Sequence, residues 1–253
     1  MRNMNILKIF IISNFTLLFG CFDSSSVSNS DVSSTGIGGS TARFTIQKNH
    51  LITIEDSIIN VFSLEDPFDP LHIDVFTSNL VLETISPFDG DKLLIGTNQG
   101  AVIMQQEIPG TLVEISFAAH FRSCDPVIAH GNYMYVTLRD GTKCATGETG
   151  VNQLLVFDIS NIENPLKRKE IEIDQPFGLG ISGDNLFVCY ASGVLKFDIS
   201  DPENMTQIGD YSNACEDVIA STDPMIFTND DGIRLVQDNE SGLTEMAFIR
   251  AGD

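Results

Sequence analysis

Residues 154–221 read LLVFDISNIENPLKRKEIEIDQPFGLGISGDNLFVCYASGVLKFDISDPENMTQIGDYSNACEDVIAS, and the phrase FDIS occurs twice, at Phe157–Ser160 and Phe197–Ser200. Each copy is followed by an Asn/Asp-rich turn and a second strand-like run. Self-similarity at this spacing, about 40 residues, with four short strands in each unit, predicts an all-β propeller. The phase extends outward. The turns that open the second strand of each unit are Asn49, Asp91, Asn132, Asp184 and Asp223, spaced 42, 41, 52 and 39 residues apart. Four of them introduce kindred phrases: GDKLLIGTNQG from Gly90, GNYMYVTLRDG from Gly131, GDNLFVCYASG from Gly183 and TDPMIFTNDDG from Thr222. Each is a run of aliphatic, aromatic and β-branched residues closed by Gly, Asn or Asp, as hairpins require. Leu186–Tyr190 is apolar at every position, so it is expected between two sheets. The third strands alternate, with Leu155, Phe157 and Ile159 on one side and Val156 and Asp158 on a wetter one.

Five units of four strands thus run over 42–253, each complete from one contiguous stretch. No strand is shared between the two chain ends, so closure is expected to rest on packing of the first blade against the last. A five-bladed ring is the primary expectation, and an open arc or part of a larger propeller is the alternative.

The repeat phrases resemble the LVIVD repeat, found in bacterial propeller-forming and often lipid-anchored proteins. Leu155–Ser160 and Leu195–Ser200 stand for the family's LVIVDVS phrase, and Asn161–Pro165 and Asp201–Asn204 for the turn after it. Val61–Pro67 keeps a weaker version, and the second and fifth units largely lose it. The resemblance implies no catalytic residue. The Asp-Ile-Ser-Asp-Pro phrase itself reads as turn chemistry, because Asp and Ser bond nearby backbone N–H groups and Pro presets φ.

The first 20 residues, MRNMNILKIFIISNFTLLFG, pair a short basic start (Arg2, Lys8) with an apolar stretch of secretory-signal proportions. Leu18-Phe19-Gly20-Cys21 resembles a bacterial lipobox, with Phe19 where a small residue is usual. That resemblance implies acylation of Cys21 and a durable membrane anchor. Residues 22–40 hold eight Ser and three Gly and read as a flexible tether. The expected organisation is therefore a lipoprotein signal peptide at 1–20, a lipidated Cys and tether at 21–41, and the propeller at 42–253. The implied address is the cell envelope, with the outer membrane favoured.

Among 253 residues, 14 are basic and 35 acidic, giving a net charge of −21. Such a surface repels phosphate backbones and argues against a nucleic-acid partner. Four Cys besides Cys21 (Cys124, Cys144, Cys189 and Cys215) allow three disulfide pairings in an exported chain. Cys124 and Cys215 hold equivalent places in SCDPVIAH and ACEDVIAS, and Cys144 and Cys189 lie near second-strand ends. The repeat phase favours Cys124–Cys144, which would pin the oversized 139–153 loop, and leaves Cys189–Cys215.

No CxxC, HExxH, GxSxG or P-loop pattern is present, and the four His (His50, His72, His120, His130) are scattered. No cofactor is implied. One constellation of oxygen ligands, Asp125, Glu216, Asp217, Asp230 and Asp231, is expected at one channel mouth, where a Ca²⁺ ion or a partner could bind. An acidic, merely solvated rim is the plainer reading. The functional expectation is a lipid-anchored, non-catalytic module that binds an envelope protein or glycan. Its alternatives are an envelope hydrolase or lyase acting in the central channel, or a structural spacer.

Overall fold

Twenty short strands and no helix make up the described residues of the computed structural model, which are 38–108, 110–120, 126–141, 150–220 and 223–252. The first blade holds β1 (Phe44–Gln47), β2 (His50–Glu55), β3 (Ile58–Ser63) and β4 (Leu71–Thr77). The second holds β5 (Leu82–Phe88), β6 (Lys92–Thr97), β7 (Gly100–Gln106) and β8 (Leu112–Ala119). The third holds β9 (Val127–His130), β10 (Tyr133–Leu138), β11 (Gln153–Asp158) and β12 (Leu166–Glu172). The fourth holds β13 (Leu179–Ser182), β14 (Asn185–Tyr190), β15 (Gly193–Asp198) and β16 (Thr206–Tyr211). The fifth holds β17 (Asp217–Ile219), β18 (Met225–Asn229), β19 (Gly232–Asn239) and β20 (Gly242–Arg250). Each blade is one antiparallel meander in sequence order, and the protein is a β-propeller of five four-stranded blades.

The turn residues sit where their chemistry places them. Asn49, Gly90, Gly131 and Gly183 all take positive φ between first and second strands. Gly193 and Gly232 open third strands where a Cβ would stand 1.9 and 2.1 Å from the carbonyl oxygens of Tyr211 and Ile249. Only glycine lets the fourth strand approach so closely. A register shift recurs in every blade between third and fourth strands, at Val61/Phe62, Ile103/Met104, Val156/Phe157, Lys196/Phe197 and Leu235/Val236. An extra residue there bends the outer strand and increases its twist, as a fanned blade needs. The FDIS aspartates make turns. Asp158 and Asp198 accept the N–H groups of Ser160 and Ser200 at 2.9 Å, and Asp201 accepts that of Asn204 at 3.3 Å.

Four apolar cores lie between successive blades: first with second, second with third, third with fourth, fourth with fifth. In the fourth blade Leu186, Val188, Leu195 and Phe197 face the third, while Phe187, Cys189 and Val194 face the fifth. Burying such side chains supplies about 1.5–3 kcal/mol each. The third strand of the third blade is drier than its alternation predicts. Val156 is fully buried because the fourth blade covers that face.

Closure differs from the expectation. No core among the described residues joins the fifth blade to the first. Among the described residues, the hydrogen bonds that link the start of the first blade to the fifth are made by Ser40 and Thr41, which precede β1. The predicted signal segment, Cys21, most of the tether, Cys124, Cys144, Asp125 and residues 142–149 of the oversized loop lie outside the described residues.

Candidate functional site

All five blades meet at one end of the axis, where the inner strands begin. A cavity of about 470 Å³ there is lined by Thr41 and Arg43, Glu83, Arg139, Phe177, Glu216 and Asp230, among others. Each is placed by an inner-strand start or by the loop after a second strand. The side chains therefore converge although they are far apart in sequence.

Arg139 follows β10, and its guanidinium lies 4.1 Å from the centroid of the Phe177 ring. That stacking is a cation–π contact in a partly desolvated setting. Burial lowers the Arg139 pKa, with the Glu216 charge acting in the opposite sense. Glu216 is raised from the usual carboxylate value, first by burial and then by the Asp230 charge. The Phe177 backbone is fixed from two sides. Its N–H donates to the Cys189 carbonyl at 2.7 Å, and its carbonyl accepts from the Thr137 hydroxyl at 2.6 Å.

The segment carrying Glu216, just before β17, is anchored by a disulfide. Cys189 and Cys215 are joined, with Cα atoms 5.3 Å apart. The bond ties the end of β14 to the approach to β17, so the fifth blade's contribution to the mouth is held to the fourth. In addition, the Gly178 N–H donates to the Glu216 carbonyl at 2.7 Å.

Asp217 has another role than a rim carboxylate. It is buried, and its two oxygens accept from the Ser40 N–H (3.2 Å) and hydroxyl (3.0 Å) and from the Thr41 N–H (3.1 Å) and hydroxyl (2.6 Å). The Ser40 hydroxyl oxygen also accepts from the Leu179 N–H at 2.7 Å, which reaches the fourth blade. A Cβ at Gly39 would lie 1.9 Å from Asp217 Oδ2, and one at Gly178 would lie 2.2 Å from Oδ1. Two glycines thus leave room for the carboxylate, and residues 39–41 are latched to the inner edges of the fourth and fifth blades. Gly38 and Ser40 also line a second cavity of about 230 Å³, deeper on the axis, with inner-strand residues of the other four blades.

Of the five acids expected at the mouth, Glu216 and Asp230 line the cavity, Asp217 is consumed by the latch, and Asp125 lies outside the described residues. Asp231 is exposed and sits 4.0 Å from Arg234. Among the described residues no group of three or more His, Cys, Asp or Glu is placed to hold a metal ion. Sequence reasoning missed Arg43, Glu83 and Phe177, which share no spacing, and reached Arg139 only as the first residue of the oversized 139–153 loop, the stretch it favoured for a partner surface. It also passed over Gly39, whose only signal was its position between Ser-rich sequence and β1.

The arrangement offers cations, acids and an aromatic face around a solvated recess. The acid–base groups among the described lining residues are carboxylates, with Glu83, Glu216 and Asp230 turned to the same recess as Arg43 and Arg139.

No family model matches the chain, and no curated protein does. Solved structures do. A functionally unknown protein from Desulfotomaculum acetoxidans is similar over 86% of this chain and 69% of its own, at 12% identity and a TM-score of 0.64. The periplasmic gluconolactonase PpgL of Pseudomonas aeruginosa is similar over 80% and 67%, at 13% identity and 0.60. BamB of Moraxella catarrhalis is similar over 87% and 74%, at 12% identity and 0.52. At such identities the likeness is one of fold, and it agrees with the five antiparallel blades: this chain is a β-propeller.

Proposed function

We propose that the protein is an envelope-located, lipid-anchored propeller of the LVIVD-repeat kind. In this reading it acts as a non-catalytic module that binds an envelope protein or glycan at the mouth of the axis. The observation that carries the reading is the 470 Å³ recess, where Arg139 on Phe177, Arg43, Glu83, Glu216 and Asp230 converge from five blades. Arginine and aromatic anchors set in a polar rim are the composition of binding hot spots. Propellers commonly place such rims on variable loops over a rigid scaffold. The Cys189–Cys215 disulfide supports an oxidising compartment, and the lipobox-like Cys21 supports attachment to the membrane. BamB and the periplasmic gluconolactonase share this outline at 12% and 13% identity, a likeness of fold alone, so the mouth must decide the function here.

Two measurements test it. Labelling cells with an alkyne-bearing fatty acid should mark the protein, and Cys21→Ala should abolish the label and shift the protein from the membrane to the soluble fraction. Label retained on that variant would refute the anchor. Binding to a panel of envelope glycans and extracted envelope proteins should fall at least tenfold in Arg139→Ala and Phe177→Ala variants that keep the wild-type melting temperature. Unchanged binding in both would overturn the mouth as the binding site.

A further inference from the structure

The first and last blades are each covered on one face only. In the first blade, Ile52, Ile54, Ile59 and Val61 are buried against the second. The register places Phe44, Leu51, Ile58, Phe62 and Val75 on the opposite face. None of these is buried, and Phe44 and Val75 are 58% and 52% exposed. The fifth blade mirrors this. Val218, Phe227 and Val236 are buried against the fourth blade, while Ile226, Ile233, Leu235 and Ile249 lie on the other face and are not buried.

Blades two to four each contribute buried side chains to a core on both faces. In a sealed five-blade ring the free faces of the first and fifth blades would bury each other. Among the described residues, the hydrogen bonds that join them lie near the axis, between Asp217 and Ser40 and Thr41. Two apolar sheet faces therefore border one cleft. Its occupant must itself be apolar on both sides, because one face of the cleft belongs to each wall. A four-stranded antiparallel sheet is the structure that meets this need.

Two observations choose among occupants. A second copy of the chain would bring together two bodies each carrying a net charge of −21, which repel. The similar propellers instead point to more blades. This chain aligns with 69% and 67% of the D. acetoxidans and P. aeruginosa structures, leaving about a third of each without a counterpart. At about 40 residues per blade, a remainder of that size is long enough to hold further blades.

We infer that the cleft between the fifth and first blades is a docking site for a further propeller blade, apolar on both faces and supplied by polypeptide outside residues 38–252. The inference is independent of what binds at the mouth.

The test uses the full chain carrying Cys21→Ala, and as probe the same chain with a second copy of residues 175–214 appended through a Gly/Ser linker. That copy holds the fourth blade, which is apolar on both faces. The unmodified chain should be monomeric by light scattering and should bind the dye ANS. The appended blade should lower ANS fluorescence several-fold and raise the melting temperature. A control copy carrying the equivalents of Leu186→Asp and Phe187→Asp should do neither. Absence of ANS binding in the unmodified chain would overturn the inference by showing that the faces cover each other. A dimer whose formation removes the ANS signal would overturn it in favour of a second copy. An ANS signal that the appended blade leaves unchanged would overturn it outright.

Discussion

At the scale of single residues, a few side chains do what their neighbours cannot replace. Asp217 satisfies four donors from Ser40 and Thr41. Asp217→Ala leaves them without that acceptor, and a loss of about 3 kcal/mol is expected in urea denaturation. Gly39→Ala should also destabilise, because the new methyl takes the carboxylate's place. The double variant should lose less than the two singles together, which a double-mutant cycle would read directly. Asp158 gives a pH signature. The Ser160 and Arg168 hydrogen bonds hold its carboxyl down to about 2. A depressed folded pKa contributes stability that is present above the ordinary carboxylate value and is lost as pH falls through about 2. Asp158→Asn should therefore melt lower than wild type at pH 7, by roughly 1–3 °C for an exposed ion pair, and the gap should close by pH 2.

Whole elements depend on packing and on one covalent tie. Phe187 on β14 is fully buried between the fourth and fifth blades. Phe187→Ala opens a cavity there, and a cost of about 3–5 kcal/mol is expected in the same denaturation assay. The Cys189–Cys215 bond closes a stretch of 26 residues. Loop-closure entropy at that length makes it worth about 3 kcal/mol, so Cys189→Ser with Cys215→Ser should lower the melting temperature by several degrees. Because the bond also fixes Glu216 beside Phe177 and Arg139, the same double variant should weaken ligand binding at the mouth more than Phe187→Ala does. That comparison separates positioning from bulk stability.

On the scale of the molecule, the chain forms a propeller with four sealed inter-blade cores and one cleft. The latch at residues 39–41 holds the axis together, while the walls of the cleft remain apolar and uncovered. Charge acts at this scale too. With 35 acidic and 14 basic side chains the molecule repels its own copies and polyanions alike. Ile233→Lys with Ile249→Lys, both on the open face of the fifth blade, should leave the melting temperature of the unmodified chain within about 1 °C, since neither side chain is buried. The same pair should abolish the stabilisation that an appended blade confers.

Blade number, strand boundaries and turns were legible in the sequence because they are local: period-2 alternation, Gly and Asn at positive φ, and a repeat of about 40 residues all operate within a few positions. The FDIS acids could be assigned to turns for the same reason. What only the tertiary structure decided was non-local. The mouth is assembled from single residues of five blades, so Arg43, Glu83, Arg139 and Phe177 carry no common spacing. Asp217 resembled its rim neighbours Glu216 and Asp230 until its partners, Ser40 and Thr41, proved to lie some 176 residues away. Closure was of the same kind: sequence periodicity shows that each blade has two faces, but which faces find a partner is settled by how many blades share the axis.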